Sequence, residues 1–380
     1  MEPNRFATDA QEELADFYCV LTMVLDDLVD QVGGLSKIET VKMALRKISE
    51  MYKGGLSIAS THCRSDWSDP ANRCAYVFLY LMQHCHLVYF SLEQDTSRIL
   101  NSWCNKSSLK VCSIGGGPGS DLVGLTTFLH KKGIFPPSLE CRVLDLYPNW
   151  KVTWDKIHPC IPGNFRVTYE RCDVVRDADL TTPTRRFIRQ ADMLTFVKVF
   201  STVSAFFQED PRRGDFVRSI LRKIKQGCFV LYIDNEHDSD AHFEREFASP
   251  VGLGKVFEFR GELTLPLGEY SSTVEKYRRI LDYSPLRSCN VLIQLYEKLA
   301  VQPARRPGAI SQDRQTRIPP QHFGPSLDQI QRGLHRRNPW GSHYCYNDYG
   351  YDYNNSYGQY DCHRSYYGYG HWPRRQPPWL

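Results

Sequence analysis

A glycine-rich turn at residues 115–119 constrains the fold of this chain more than any other feature of the sequence. The β-rich run Leu109–Ile114 leads directly into it, and the helical run Ser120–Lys131 follows. Glycines at such a place permit positive φ angles and a close approach of the backbone to a ligand. The helix start that follows offers unpaired N–H groups and the positive end of a dipole. The sequence therefore predicts a strand–turn–helix unit that can hold a polar ligand.

Beyond this turn, β-rich and helical runs continue to alternate. We predict helices over Trp150–Ile157 and Arg213–Ile224. We predict further strands over Glu140–Leu144, Phe165–Glu170, Asp192–Val199, Cys228–Ile233 and Asn290–Tyr296, with Lys255–Leu265 as an additional candidate. Strand–helix alternation of this kind is typical of a parallel sheet with helices on both faces, so the fold class is α/β.

The region before the sheet is predicted to be helical. Apolar residues recur at spacings of three and four over residues 8–31 and 36–52. The most apolar stretch, residues 74–92, contains Gln83, His84 and His86, which are costly in a bilayer. We therefore expect a buried helix and no membrane partner. Residues 1–105 form a helical N-terminal region packed on a sheet domain at 106–300.

The last 80 residues differ in composition from the rest of the chain. Residues 301–380 carry ten Arg and five Asp, whereas the preceding 300 residues carry 37 basic and 38 acidic residues. Ten Tyr lie among Gly, Asn, Asp and Ser at 344–369. Such a segment cannot bury enough apolar surface to offset its ordering entropy, so we expect a disordered tail. Interleaved Arg and Tyr could stack on RNA bases, or the tail could be solvated without a partner.

The spacing of the glycines narrows the class of ligand. A phosphate-binding P-loop would need Lys after Gly119, and the dinucleotide fingerprint would need Gly or Ala at Ser120 or Leu122. Gly115, Gly117 and Gly119 instead give G-x-G-x-G, which resembles motif I of class I S-adenosylmethionine (SAM) dependent methyltransferases. The resemblance implies a Rossmann-like sheet whose loop wraps the amino-acid and ribose portions of SAM.

Two acidic residues extend this resemblance across residues 74–298. Asp145 ends the second predicted strand, where a carboxylate would accept hydrogen bonds from both ribose hydroxyls. Asp173 closes the third strand, and the resemblance implies a position near the adenine amino group. The alternative for each is a surface Asp at a strand end. The family usually has an acid where this chain has Ser113, and we predict that Asp121 compensates in holding the cofactor.

The residues after the fourth and fifth strands are the catalytic candidates. These are Lys198, Asp234 and His237, of which the last two could serve as a general base. Lys198 could instead be a polar core or rim residue, and Asp234 with Asn235 could cap a helix. Methyl transfer needs mainly the alignment of nucleophile, methyl and sulfur, so the lack of a familiar catalytic motif does not exclude catalysis.

A weaker similarity links the chain to fungal ribosomal-RNA uridine-N3 methyltransferases. It rests on GGGPGSDLVGL, the Phe-rich stretch after the fourth strand and VLYIDN. It would imply an RNA substrate. A methyltransferase acting on a protein or small molecule, and a non-catalytic SAM sensor or scaffold, stay open as alternatives.

The cysteine pattern and the N-terminal sequence limit the metal sites and the cellular compartments that we expect. Thirteen Cys occur without a CxxC pair, so no metal site is predicted at His62-Cys63 or His84-Cys85-His86. The N-terminus lacks the apolar segment of a signal peptide. We therefore expect reduced thiols and a location in the cytoplasm or nucleus.

Overall fold

The computed structural model describes residues 19–53, 65–161, 163, 165–236, 241–265 and 272–300. Its centre is a seven-stranded sheet in the order β3-β2-β1-β4-β5-β7-β6, in which β7 runs antiparallel to the other six strands. The strands are β1 Ser108–Ile114, β2 Ser138–Asp145, β3 Arg166–Arg171, β4 Met193–Val197, β5 Phe229–Asn235, β6 Leu253–Thr264 and β7 Ser288–Lys298. This is the predicted Rossmann-like α/β sheet, and the two late strands form an antiparallel hairpin at its edge.

Helices cover both faces of the sheet. They are α1 (residues 19–30), α2 Lys37–Lys53, α3 Pro70–Gln94, α4 Thr96–Trp103, α5 Ser120–Lys131, α6 Trp150–Ile157, α7 Thr182–Gln190, α8 Phe200–Glu209, α9 Asp215–Lys223, α10 Ala241–Phe243 and α11 Ser272–Leu281. The turn α10 continues as a π-helix over Glu244–Ala248. Of these helices, α4, α7, α8, α10 and α11 were not predicted from the sequence.

Two hydrophobic cores result from the alternation of side chains along each strand. In β1, Leu109 and Val111 face the core shared with α1 to α6, whereas Cys112 and Ile114 face the core beneath α7, α8 and α9. Successive side chains of a strand point to opposite faces, so a sheet buried on both sides needs apolar residues throughout. The burial of β1 and β5 shows this pattern.

Helix α3 joins the N-terminal helices to the sheet. It crosses α5 so closely that a Cβ on Gly124 would lie 2.5 Å from the carbonyl oxygen of Cys85. At the far edge, Gln83 donates a hydrogen bond to the carbonyl of Leu263 in β6. Helix α3 therefore spans the first core from α5 to the β6–β7 hairpin. His84, Cys85 and His86 are buried within it.

The fourth strand is shorter than predicted. Lys198 has φ +56, in the left-handed region, and this ends β4 at Val197 instead of Val199. At the other end of β4, the buried Asp192 fixes the amino edge of the sheet. Its carboxylate accepts hydrogen bonds from the Lys110 backbone N–H (2.9 Å), Lys225 Nζ (2.6 Å) and Lys106 Nζ.

Several predictions concern parts of the chain outside the described residues. These are the tail at 301–380, the start of the first predicted helix and the pair His62-Cys63. The division of the chain at residues 105 and 300 stays a prediction. Within the described ranges, no helix is long and apolar enough to cross a membrane.

Candidate functional site

The glycine loop lies where the order of the strands reverses. Strand β1 pairs with β2 on one side and with β4 on the other, so the loops after β1 and β4 diverge at this point. In open α/β sheets, ligands bind at the carboxyl ends of the strands beside such a reversal. The loop closes on hydrogen bonds from Gly115 N to Leu144 O (2.7 Å) and from Gly119 N to Gly116 O (2.8 Å).

All three glycines of the G-x-G-x-G pattern adopt positive φ angles, +63 at Gly115, +49 at Gly117 and +84 at Gly119. At two of these positions, close packing is a second reason for glycine. A Cβ on Gly115 would lie 2.3 Å from Val199, and one on Gly119 would lie 2.5 Å from the Trp154 ring. A Cβ on Gly117 would meet only Trp150, at 3.8 Å. Gly117 is therefore the loop glycine that packing constrains least.

Asp145 at the end of β2 is bonded directly to the loop. Its carboxylate accepts a hydrogen bond from Gly117 N at 3.0 Å and another from Tyr147 N at 2.9 Å. Each oxygen keeps a second lone pair, because a carboxylate offers about four acceptor positions. Burial raises the pKa of Asp145 to about 6, although these two backbone donors oppose the shift. The group can therefore change its charge near neutral pH.

Asp121 lies beneath the loop. Its carboxylate accepts hydrogen bonds from the Thr195 hydroxyl of β4 and from Leu122 N (3.0 Å). The side chain is 2% exposed, and burial raises its pKa against the opposing effect of the Ser113 and Thr195 hydroxyls. These contacts fix the start of α5 to β4. That Asp121 also holds a cofactor stays a prediction.

The start of α5 contains a buried hydroxyl with unused hydrogen-bonding capacity. Ser120 is 3% exposed, and its Oγ has no hydrogen-bond partner among the described residues. Leaving a buried polar group unpaired is costly, so such groups in native proteins usually have a partner. A polar ligand at the helix start would satisfy this hydroxyl. The acceptor on Asp145, the left-handed loop and this hydroxyl together fit a ligand with several polar groups.

Asp173 lies two residues beyond the end of β3 and stabilises a turn. Its carboxylate accepts a hydrogen bond from Val175 N at 3.1 Å, and its own N–H donates to Asp177 at 2.7 Å. It shares the carboxyl edge of the sheet with Asp145, because β2 and β3 are parallel neighbours. Contact with a cofactor stays a prediction for this residue.

Lys198 follows β4 at the same edge. Its Nζ donates to Asn235 Oδ1 at 2.7 Å, and its backbone N–H donates to Ile233 O at 2.7 Å. Burial lowers the pKa of Lys198. A left-handed, non-glycine residue is strained, and such strain concentrates at functional sites. Lys198 is therefore the catalytic candidate with the clearest structural signature.

In the structure, the carboxylate of Asp234 contacts the start of a helix. Its carboxylate accepts hydrogen bonds from Ser201 N (2.6 Å), Ser201 Oγ (3.1 Å) and Asn235 N (2.8 Å). It therefore caps the start of α8 from the neighbouring strand, where Val199 supplies no side-chain cap. Capping was the alternative interpretation of Asp234 in the sequence. The helix that Asp234 caps, however, follows β4 and not its own strand β5. His237 lies outside the described residues.

A row of aromatic rings was not predicted as part of the site. Tyr76, Tyr80 and His84 lie four residues apart on one face of α3, with centroid distances of 5.1 Å and 5.6 Å between successive rings. Trp150, whose ring faces the Cβ position of Gly117, lies 5.5 Å from Tyr76 and 5.4 Å from Trp67. The four-residue spacing was visible in the sequence, but it also fits an ordinary buried helix face.

The last ring of the row is the imidazole of His84. Burial lowers the pKa of His84 to about 3, and the positive charge of Lys198 adds to this effect. His84 is therefore neutral at physiological pH. The aromatic row therefore runs along α3 from Tyr76, which contacts Trp150, to His84.

The described residues include no group of His, Cys, Asp or Glu side chains arranged to hold a metal ion.

Comparison with known proteins gives similarity of structure only. No protein-family profile matches the sequence, and no curated protein matches it.

Solved structures overlap with part of the chain. A proposed RNA methyltransferase from Pyrococcus horikoshii has a TM-score of 0.34 at 14% identity, over 65% of this chain and 98% of its own. A precorrin-6y C5,15-methyltransferase from Geobacter metallireducens gives 0.35 at 12%, over 58% and 90%. An rRNA methylase from Streptococcus thermophilus gives 0.29 at 12%, over 54% and 95%. Likeness at this level does not identify a ligand or substrate, and the resemblance to uridine-N3 methyltransferases stays a prediction.

Proposed function

We propose that this protein binds S-adenosylmethionine at the glycine loop and transfers its methyl group to RNA. One observation carries the cofactor half of the proposal: the hydrogen bond of 3.0 Å between Gly117 N and the buried carboxylate of Asp145. It places a left-handed glycine loop and an acceptor for hydroxyl donors side by side, at the point of the sheet where α/β proteins bind ligands.

Several residues at this edge of the sheet would each contact a different part of the cofactor. Asp145 would accept hydrogen bonds from the ribose hydroxyls on its remaining lone pairs. Gly115, Gly117 and Gly119 would let the backbone approach the cofactor, and Ser120 Oγ would pair with one of its polar groups. Asp173 would lie towards the base. When bound, SAM supplies a methyl group on a positively charged sulfur.

The substrate side of the site would lie beside Lys198. The Nζ of Lys198 is held by Asn235 and could donate a hydrogen bond to an acceptor atom of the substrate. Its positive charge would disfavour a cationic substrate and favour an electron-rich one. Because alignment accounts for much of the rate of a group transfer, a fixed donor here would contribute by orienting the nucleophile.

RNA as the substrate is supported by composition. The Arg- and Tyr-rich residues 301–380 suit phosphate contacts and base stacking. A protein or small-molecule substrate is the second candidate, and a SAM sensor without turnover is the third.

Cofactor binding is tested by calorimetry with SAM on three proteins: the wild type, Gly117→Ala and Gly133→Ala. Both glycines have positive φ (+49 and +66) and neither substitution meets a clash, so both cost similar backbone strain. Only Gly117 lies in the proposed site. We expect Gly117→Ala to weaken binding at least about tenfold, or about 1.4 kcal/mol, and Gly133→Ala to leave it unchanged.

Equal affinities in all three proteins would contradict the contact between the loop and the cofactor. Absence of binding to the wild type would remove the enzyme proposal. Where binding is found, transfer of a radiolabelled methyl group to RNA, protein or metabolite fractions separates the substrate classes. Binding without transfer to any fraction would support a sensor.

A further inference from the structure

Helices α7 and α9 form an exposed arginine-rich face on one side of the sheet. They pack side by side over the second core through residues such as Phe187 and Ile220. Their outward surface carries Arg186, Arg189 and Arg222, and Arg213 lies on the turn Pro211–Gly214 that leads into α9. We call these four residues the arginine face. All four are exposed.

The charge of this region stands apart from the rest of the folded chain. Residues 176–226 contain 11 basic and six acidic residues, whereas the other residues up to 300 contain 26 basic and 32 acidic ones. The near-neutral total for residues 1–300 therefore conceals a positive region within a negative body. A concentrated charge of this kind attracts polyanions, and the attraction depends on salt.

Unlike the basic residues around them, the four arginines form no ion pair with a described residue. Neighbouring basic residues are paired, Arg185 and Lys223 with Asp179, Arg212 with Asp210 and Arg218 with Asp215. In the part of the chain that the structure describes, no acidic group lies within ion-pair distance of the arginine face. The helix dipole favours cations in a last turn, which accounts for Arg189 and Arg222 but not for Arg186 or Arg213.

The composition of the face favours RNA over a membrane surface. All four unpaired groups are guanidinium groups, whose planar donors match phosphate oxygens in a bidentate manner. The large apolar side chains found exposed in the described chain are Met23, Leu35, Met43, Phe135, Val152 and Leu299, and none of them lies on α7 or α9. A surface without exposed apolar residues has nothing to insert between lipids.

The arginine face extends from the carboxyl edge of the sheet, near Arg213, to the amino edge, near Arg189 and Arg222. Helices α7 and α9 each precede a parallel strand, so they begin at the carboxyl edge of the sheet and run towards the amino edge. Each has nine residues and is therefore about 13 Å long. A polyanion lying along them would extend away from the site.

We infer that the arginine face contacts the phosphate backbone of RNA. It would hold one part of the RNA strand while another part of the same strand enters the site. The inference rests on the proposed function for the identity of the substrate. Binding of RNA at this face and binding of SAM at the loop are separate properties, and each can fail alone.

The test compares the full chain with two quadruple variants. One carries Gln at Arg186, Arg189, Arg213 and Arg222. The control, matched in charge, carries Gln at Arg46, Lys47, Lys151 and Arg279, exposed basic residues on helices of the other core, of which the last two pair with acidic neighbours. Both variants remove four positive charges. Binding of a fluorescein-labelled single-stranded RNA of about 20 nucleotides is measured by anisotropy between about 50 and 300 mM salt, a range over which phosphate contacts weaken measurably.

We expect the slope of log K against log salt to become shallower by about 0.7 for each phosphate that the variant no longer neutralises, and the affinity to fall alike for different RNA sequences. The control should keep the wild-type slope. Equal reductions of affinity in both variants, or no reduction in either, would overturn the inference. Binding to vesicles containing phosphatidylserine, without binding to RNA, would overturn it as well. Calorimetry with SAM on both variants reports separately on the cofactor site.

Discussion

At the residue scale, the proposed role of Asp145 would link the binding of SAM to pH. Its carboxylate has to be ionised to accept ribose hydroxyl donors on both oxygens, and burial raises its pKa to about 6. We expect the affinity for SAM to increase from pH 5 to pH 7, by about tenfold, because about one molecule in ten is ionised at pH 5. Asp145→Asn should bind more weakly and without this dependence. Calorimetry at three pH values measures both.

An affinity of the wild type for SAM that stays constant over this range would contradict the role given to Asp145.

The raised pKa of Asp145 also has a consequence for stability. Because the folded state binds the proton more tightly than the unfolded state, the free energy of unfolding falls as the pH rises from about 3.8 to about 6. Binding and stability should therefore change in opposite directions across this window.

The residues of the loop were predictable because their spacing alone carries the signal. Gly115, Gly117 and Gly119 need left-handed backbone, and Asp145 follows from the end of the next strand. The contacts of Asp234 were not predictable in detail. Its carboxylate caps α8 through Ser201, which lies 33 positions earlier in the chain, and nothing local to either position indicates that pairing.

At the scale of elements, the crossing of α3 and α5 depends on Gly124. Alanine is the better helix former by about 1 kcal/mol, yet its Cβ would lie 2.5 Å from Cys85 O and 2.9 Å from Val88 Cβ. We expect Gly124→Ala to lower the free energy of unfolding by about 1–3 kcal/mol, since the helices must separate. Urea unfolding measures the change. Gly33→Ala, which meets nothing within 4 Å, is the control.

An unchanged or increased stability of Gly124→Ala would mean that the two helices can separate without cost. Of the five helices that were not predicted, α7 and α8 were missed for different reasons. Helix α7 has a start signal in Thr181 and Pro183, and its Thr181 hydroxyl accepts from Thr184 N, but its nine residues are too short for a clear period. Helix α8 is Phe-rich and follows β4 after only two residues, so Phe200–Glu209 merges with the strand in the sequence.

At the scale of the whole molecule, the two edges of the sheet have different tasks. The carboxyl edge carries the candidate site, and the amino edge is held by Asp192 with Lys106 and Lys225. Burial would raise the pKa of Asp192, but its hydrogen bonds to these lysines and to Lys110 N outweigh burial and lower it overall. The stability that Asp192 contributes is therefore full above its ordinary pKa near 3.8 and disappears as the pH falls further.

We expect Asp192→Asn to lower the free energy of unfolding at pH 7 by about 1–3 kcal/mol and to leave the affinity for SAM unchanged. This magnitude is that of charged hydrogen bonds, because the two lysines are partly exposed and water screens them. Urea unfolding at pH 7 and pH 3, with calorimetry at pH 7, checks both parts. A weaker affinity for SAM at a temperature where the variant is fully folded would contradict the separation of the edges.

The contact between Trp150 and the glycine loop gives the molecule an internal optical probe. The indole ring lies 3.8 Å from the position of a Cβ on Gly117, and it also contacts the rings of Trp67 and Tyr76. Indole emission responds to the polarity and the quenching groups around it. A ligand seated on the loop would therefore alter the fluorescence of the unlabelled protein, and occupancy could be followed in real time by stopped-flow mixing.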